Sequence, residues 1–173
     1  MKIYINDIPP EGLSLDLKEE GSTLASLAGG LDFSFLSPVV AHLSVTRKGE
    51  DVSVCVDVST KTSLTCSRCI RKFDFTIETH FSVFFTRLRE EAKERELKKE
   101  DMELNLLEGD EIDTDAILLE QIALEVPIKP LCSPECKGLC PRCGADLNQG
   151  RCGCPEEERI DPRFARLRDF KIR

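Results

Sequence analysis

Nine cysteines, eight of them grouped in four short pairs, constrain this chain more than any other feature. They are Cys55, Cys66, Cys69, Cys132, Cys136, Cys140, Cys143, Cys152 and Cys154. The stretch from Met1 to Asp7 has neither the apolar run nor the small-residue cleavage site of a secretory leader. No apolar run reaches the roughly 18 residues that a membrane-crossing helix needs. The expected compartment is therefore the cytoplasm, where thiols stay reduced and clustered cysteines point to metal rather than to disulfides.

Cys140-Pro141-Arg142-Cys143-Gly144 has the form of a zinc knuckle. Two thiolates at this spacing grip one tetrahedral ion if the turn between them is tight. The glycine after the second cysteine permits positive φ, and backbone N–H groups there can reach the sulfurs. Cys152-Gly153-Cys154 supplies two more sulfurs and completes a four-thiolate set. Cys66-Ser67-Arg68-Cys69 and Cys132-Ser133-Pro134-Glu135-Cys136 remain. Both flank elements expected to pack together, which makes them a candidate second set. Spacing alone leaves the pairing open, because Cys132 and Cys136 could instead complete a site with Cys140 and Cys143. Eight sulfurs in four pairs fit two all-thiolate zinc sites better than one. With every metal position filled by thiolate, none is left for water, so such zinc is structural. Each site would add on the order of 10 kcal/mol of folding free energy.

Other thiol chemistries compete with this reading. Cys55, which has no cysteine neighbour, reads as a buried free thiol acting as a small hydrophobe. Cys66 and Cys69 could form a redox dithiol, but a thioredoxin-like motif would open a helix in a βαβ unit. Here the motif follows a strand of a β-meander. An iron–sulfur cluster has the right ligand type, but the ferredoxin spacings are absent.

A chain of 173 residues can bury a core without staples. The clearest core signal lies in residues 39 to 86, which alternate with period two. Val39, Ala41, Leu43 and Val45 share one strand face. Val52, Val54, Val56 and Val58 share the next, opposite Asp51, Ser53, Cys55 and Asp57. Phe73, Phe75, Ile77, Phe81, Val83 and Phe85 line a third, opposite Asp74, Thr76, Glu78, His80 and Ser82. Half-buried antiparallel strands read this way, with Lys48-Gly49-Glu50 as a hairpin turn. A short strand is expected around Ile3 to Ile5, and turns at Pro9-Pro10 and Gly29-Gly30. Asp113 or Thr114 caps a helix running to about Glu125, with Leu119, Ile122, Ala123 and Val126 on one face. Pro127 and Pro130 end it. Asp161 to Leu167 reads as a short capped helix.

The expected fold is α+β: an antiparallel β-unit with a packed helix and a C-terminal Cys-rich zinc-knuckle module. The β-rich core covers 1–130 with a charged insertion at 87–111, and the knuckle module with its C-terminal helix covers 131–173, packed on the core.

The formal net charge is −8, so a generic polyanion-binding surface is excluded and any nucleic-acid contact needs a local basic patch. Arg68, Arg71 and Lys72 cluster at the first cysteine pair, and Lys137, Arg142 and Arg151 in the C-terminal module. Six basic and two acidic residues lie between Arg159 and Arg173. Together these form a candidate phosphate-contacting surface, although solvated charge around knuckles reads the same way. From Glu100 to Glu120 there are nine acidic residues and no basic ones, a candidate dock for a basic protein or simply a solvated loop. His42 and His80, the only histidines, fall on polar strand faces as ordinary surface residues. Asp113 and Asp115 serve a helix start better than a cation. No catalytic constellation is present.

The chain resembles the YceD family, linked to accumulation of large-subunit ribosomal RNA in bacteria and chloroplasts. The segments that carry the resemblance run along most of the sequence. They are Ile3-Tyr4-Ile5, the C-x-R-C segment from Leu64 to Ile70 followed by Phe73 and Phe75, and the acidic Gly109 to Asp113. The stretch from Glu125 to Cys132, the motif from Cys136 to Asn148 and the closing Asp161 to Leu167 complete them. Ile70 stands where the family usually has leucine. The resemblance implies a non-catalytic cytoplasmic ribosome-biogenesis factor that promotes accumulation of large-subunit rRNA. Zinc would be structural, and the partners rRNA, a pre-ribosome or a basic large-subunit protein. The rivals are a thiol–disulfide oxidoreductase using Cys66 and Cys69, and a zinc carrier for a zinc-ribbon ribosomal protein.

Overall fold

A computed structural model of the chain describes residues 1–87, 104–107 and 109–155. Most of the charged insertion at 87–111, part of the acidic stretch and the helix expected at Asp161 to Leu167 lie outside the described residues. Eight strands and two α-helices follow one another: β1 (Lys2–Tyr4), β2 (Leu13–Glu19), α1 (Gly21–Leu27), β3 (Ser34–Phe35), β4 (Val39–Lys48), β5 (Asp51–Thr65), β6 (Lys72–Thr86), β7 (Leu104–Leu106), β8 (Glu111–Asp113) and α2 (Thr114–Glu125).

The period-two segment becomes a three-strand meander. β4 and β5 join through Gly49 and Glu50, with Lys48 opposite Asp51. Gly49 takes φ +67°, which a two-residue hairpin connection demands of its first residue. β5 and β6 then pair continuously from Val52↔Phe85 to Thr65↔Lys72. The large sheet has the order β2-β4-β5-β6-β7, and β3 pairs with β5 off that path. All its pairings are antiparallel except β6–β7, which is parallel. β1 and β8 form a separate two-stranded ribbon.

One face of the large sheet is the core. Val39, Ala41, Leu43 and Val45 of β4, Val52, Val54, Val56 and Val58 of β5, and Ile77 of β6 are buried there. Leu24 of α1, Ile117, Leu118 and Ile122 of α2, and Ile3 and Ile112 of the ribbon cover them. Asp113 caps α2, its Oδ1 accepting from the N–H of Asp115 at 3.0 Å and of Ala116 at 3.4 Å. The Thr114 hydroxyl donates to the Met1 carbonyl at 2.7 Å and ties the helix start to β1.

The buried face of α2 differs from the expected one. Thr114, Ile117, Leu118 and Ile122 are buried, Leu119 and Val126 are half-buried, and Ala123 is exposed. The helix carries apolar residues on more than one side, Leu124 included, so periodicity does not select a unique stripe. The geometry of the sheet below it does. β2, α1 and β3 are additions to the sequence reading. Leu13, Leu15 and Leu17 do alternate with Ser14, Asp16 and Lys18, but β2 is an edge strand and those leucines are only half-buried.

The opposite face of the sheet meets solvent. Asp16, His42, Asp57 and His80 lie opposite one another in a row across β2, β4, β5 and β6. His42 Nδ1 is 2.7 Å from Asp16 Oδ1, and His80 Nδ1 is 2.8 Å from Asp57 Oδ1. The histidines are therefore surface sheet residues, as expected. Cys55 is on this face too, half-buried rather than buried, and accepts a hydrogen bond from the Ser82 hydroxyl at 3.3 Å. The β5 pleat that turns its valines inward turns Cys55 outward. Among the described residues, no helix is long and apolar enough to cross a membrane.

Candidate metal centres and the basic residues around them

The β5–β6 hairpin closes through a knuckle. Cys66 N–H donates to Arg71 O at 2.9 Å, and Ile70 N–H to Cys66 O at 2.9 Å. The tight turn puts Ile70 at φ +61°, a left-handed conformation that costs a β-branched residue roughly 1–2 kcal/mol. Its side chain is 68% exposed. After α2 the chain returns to the same place, where Ser67 N–H donates to Pro130 O at 2.8 Å. That return brings in Cys132 and Cys136.

Cys66, Cys69, Cys132 and Cys136 thus gather, and Cys140, Cys143, Cys152 and Cys154 form a second group. In each, the four sulfurs lie within 4.8 Å of one another. Cys66 and Cys136 Sγ are 3.7 Å apart, and Cys69 and Cys132 Sγ 3.6 Å. A tetrahedral ion with sulfur at about 2.3 Å requires sulfurs about 3.8 Å apart, so the donor set fits zinc in type, number and spacing. Both tetrads could hold a metal ion. The grouping that spacing left open is the one with two separate tetrads; Cys132 and Cys136 do not join Cys140 and Cys143. The first tetrad draws ligands from both sides of residue 130 and sits in a small apolar cluster with Phe73, Leu131 and Leu139. In the second, Gly144 takes φ +73° and its N–H donates to Cys140 O at 2.9 Å, the turn expected of a knuckle glycine.

The electrostatics of the thiols are those a bound cation would relieve. Burial pushes the Cys66 thiol up, but the N–H groups of Cys132, Cys69 and Arg68 outweigh it and bring it down to about 6. For Cys69 the Arg71 N–H lowers the value, yet burial and the shared contacts with Cys66, Cys132 and Cys136 push it up to about 12. In the second tetrad the N–H groups of Cys143 and Arg142 draw Cys140 down to about 6. The Cys143 thiol and burial push Cys154 up to about 12. One sulfur in each group ionises readily, and the next must ionise beside it. A dication removes that repulsion.

All six basic residues singled out in the sequence are exposed. Two of them also serve the first tetrad. Arg68 Nη1 donates to Cys136 O at 2.7 Å, and Arg71 Nη2 to Cys132 Sγ at 3.5 Å. Arg68 and Lys72 flank the first knuckle, Lys137 lies between the two tetrads in sequence, and Arg142 and Arg151 belong to the second.

Three further residues matter here that sequence reasoning gave no role. Gly138 has φ +76°, and a Cβ there would sit 3.0 Å from Arg68 O and 3.3 Å from Arg68 Cβ. Gly138→Ala is expected to cost roughly 1–3 kcal/mol, because it strains the backbone and pushes the two segments apart. A lowered thermal midpoint with faster metal loss from the first tetrad would show it; an unchanged midpoint would refute it. Asn148 Oδ1 accepts from Lys137 N–H at 2.8 Å, and its Nδ2 reaches Asp146 Oδ1 at 2.6 Å and Cys136 Sγ at 3.5 Å. The Asn148 N–H holds the Asp146 carboxyl below its ordinary value against the opposing effect of burial, with help from the Arg71 charge. Glycine and asparagine near a knuckle signal a turn, and nothing local says which sulfur they face.

Comparison with known proteins places the chain. It is 31% identical over 127 residues to an uncharacterised protein of Mycobacterium tuberculosis, covering 72% of this chain and 58% of that protein. The chain therefore spans little more than half the length of that relative. It is 28% identical over 153 residues to the Arabidopsis thaliana large ribosomal RNA subunit accumulation protein YCED homolog 1, chloroplastic, covering 74% of this chain and 47% of the relative. To YlbN of Bacillus subtilis it is 27% identical over 167 residues, covering 94% of this chain and 90% of that protein. No solved structure matches. Residues 54–171, which include every tetrad cysteine, match the family described as large ribosomal RNA subunit accumulation protein YceD, and the chain belongs to that family.

Proposed function

We propose that this chain is a non-catalytic cytoplasmic factor that promotes accumulation of large-subunit rRNA. Its two tetrads hold structural zinc, and its basic residues contact the RNA. Family membership and the name of the plant relative support the rRNA role. The observation that carries the contact surface is the placement of the basic residues. On an acidic chain, Arg68, Arg71, Lys72, Lys137, Arg142 and Arg151 all stand at or beside the cysteine tetrads and are exposed. The tetrads fix the irregular backbone that presents them, and thiolate in all four positions leaves zinc no catalytic role.

Lys72, Lys137 and Arg151 are the side chains to test, because Arg68 and Arg71 also brace the first tetrad. Reversing all three to glutamate is expected to weaken binding to large-subunit rRNA at least tenfold. The slope of log affinity against log salt should fall by about 2–3, close to one for each phosphate no longer neutralised. Filter binding across a salt series reads both quantities, with metal content confirming the fold. Unchanged affinity and slope in a metal-replete variant would overturn the RNA-contact reading.

A further inference from the structure

The two tetrads share a wall. Cys136 belongs to one and Cys140 to the other, and the backbone between them is pinned from both sides. On the first side, Leu139 N–H donates to Arg68 O at 3.2 Å. On the second, Leu147 N–H donates to Gly138 O at 2.9 Å and Cys140 N–H to Ala145 O at 2.8 Å, around an antiparallel bridge between Leu139 and Asp146. The far arm of this small hairpin carries Asn148. Its side chain crosses back to the first tetrad, where Nδ2 lies 3.5 Å from Cys136 Sγ while Oδ1 receives the Lys137 N–H. Asp146 orients the amide by accepting from both Nδ2 and the Asn148 backbone N–H, the latter at 2.9 Å.

We propose that Asn148 is a positioning residue that couples the two metal centres, so that an ion captured by the second tetrad raises the affinity of the first. This rests on the reading of the tetrads as metal sites. An ion held by Cys140, Cys143, Cys152 and Cys154 fixes the turn from Gly138 to Asn148. The fixed turn holds the Asn148 amide against Cys136, where an N–H donor stabilises the thiolate that must bind metal. Outer partners of this kind are worth roughly 10–100-fold in metal affinity. Linkage makes the effect reciprocal, so a loaded first tetrad tightens the second by the same factor.

A four-variant cycle on the full chain tests this: wild type, Cys140→Ser with Cys143→Ser, Asn148→Ala, and the combination. The probe is cadmium, observed by its NMR resonances and titrated against a competing chelator. The resonance that survives Cys140→Ser with Cys143→Ser identifies the first tetrad. Removing the second tetrad should weaken the first about tenfold in the wild-type background and less than twofold in the Asn148→Ala background. Asn148→Asp keeps the acceptor for Lys137 N–H but loses the donor to sulfur. It should weaken the first tetrad as Asn148→Ala does and move its cadmium resonance, which a purely structural turn residue would not. Equal weakening in both backgrounds, or none in either, overturns the coupling while leaving the metal sites standing. A wild-type chain that binds no cadmium overturns the metal reading as well.

Discussion

Replacing Cys66 and Cys69 by serine is expected to remove one of two zinc ions and to release the segment from Leu131 to Cys154 from the tip of the β5–β6 hairpin. Without metal, little holds that segment there. Among the described residues four hydrogen bonds remain, Ser67 N–H to Pro130 O, Leu139 N–H to Arg68 O, Arg68 Nη1 to Cys136 O and Arg71 Nη2 to Cys132 Sγ, with a small cluster around Phe73, Leu131 and Leu139. Such bonds contribute about 1 kcal/mol each, whereas a structural zinc site contributes on the order of 10 kcal/mol. On the proposed reading of the tetrads as zinc sites, the metal would decide the docking. The sheet has its own core, built from β4, β5 and the elements that cover them, and none of it includes a tetrad cysteine. Elemental analysis should fall from two zinc to one per chain. Hydrogen exchange should speed up at the Leu139 amide while the amides of β4 and β5 stay protected. Retained protection with the metal gone would mean that apolar packing, not the ion, holds the module.

Ile122→Ala should do the reverse. Ile122 is fully buried, at 0% exposure, where α2 lies on the sheet. Truncating a buried isoleucine to alanine costs about 2–5 kcal/mol, because the transfer free energy of the deleted atoms is joined by a cavity that neighbours fill only partly. With a urea m-value of about 1–3 kcal/mol per molar, the unfolding midpoint should drop by roughly 1 M or more. Zinc content of the folded variant should stay at two, because Ile122 belongs to the sheet's core and not to the cluster around the first tetrad. A midpoint that does not move would mean that α2 contributes little to the sheet. The two variants together separate the stability of the sheet from that of the metal module.

The sheet was readable because its strands are long and cleanly alternating. Val52 to Val58 point one way and Asp51 to Asp57 the other, and a one-residue slip would expose every valine. The ten to fifteen residues of β4, β5 and β6 repeat that signal many times. The three residues of β7 and the two of β3 carry almost none. The parallel β6–β7 pairing is set by where the chain returns after a long connection, which no local pattern records. The cysteines were readable as candidate ligands because thiolate chemistry is narrow. The favoured grouping into two sets is the one the structure brings together, but spacing could not exclude its alternative, since the first set depends on the chain after α2 coming back to Ser67. Asn148 was inconspicuous for the same reason: its partner, Cys136, is visible only once the hairpin closes.

The parallel pairing of β7 with the end of β6 also says how this chain can vary. Leu104 lies beside Phe84 and Leu106 beside Thr86, so the polypeptide leaves the sheet beyond Thr86 and rejoins its edge a few residues back along β6. The fixed points at Arg87 and Leu104, joined by residues 88–103, therefore lie three residues apart along the strands and one strand spacing across, about 11 Å. The entropy of closing such a loop grows only with the logarithm of its length, so doubling it costs about 0.6 kcal/mol. Lengthening, shortening or recharging this connection should therefore cost the fold little.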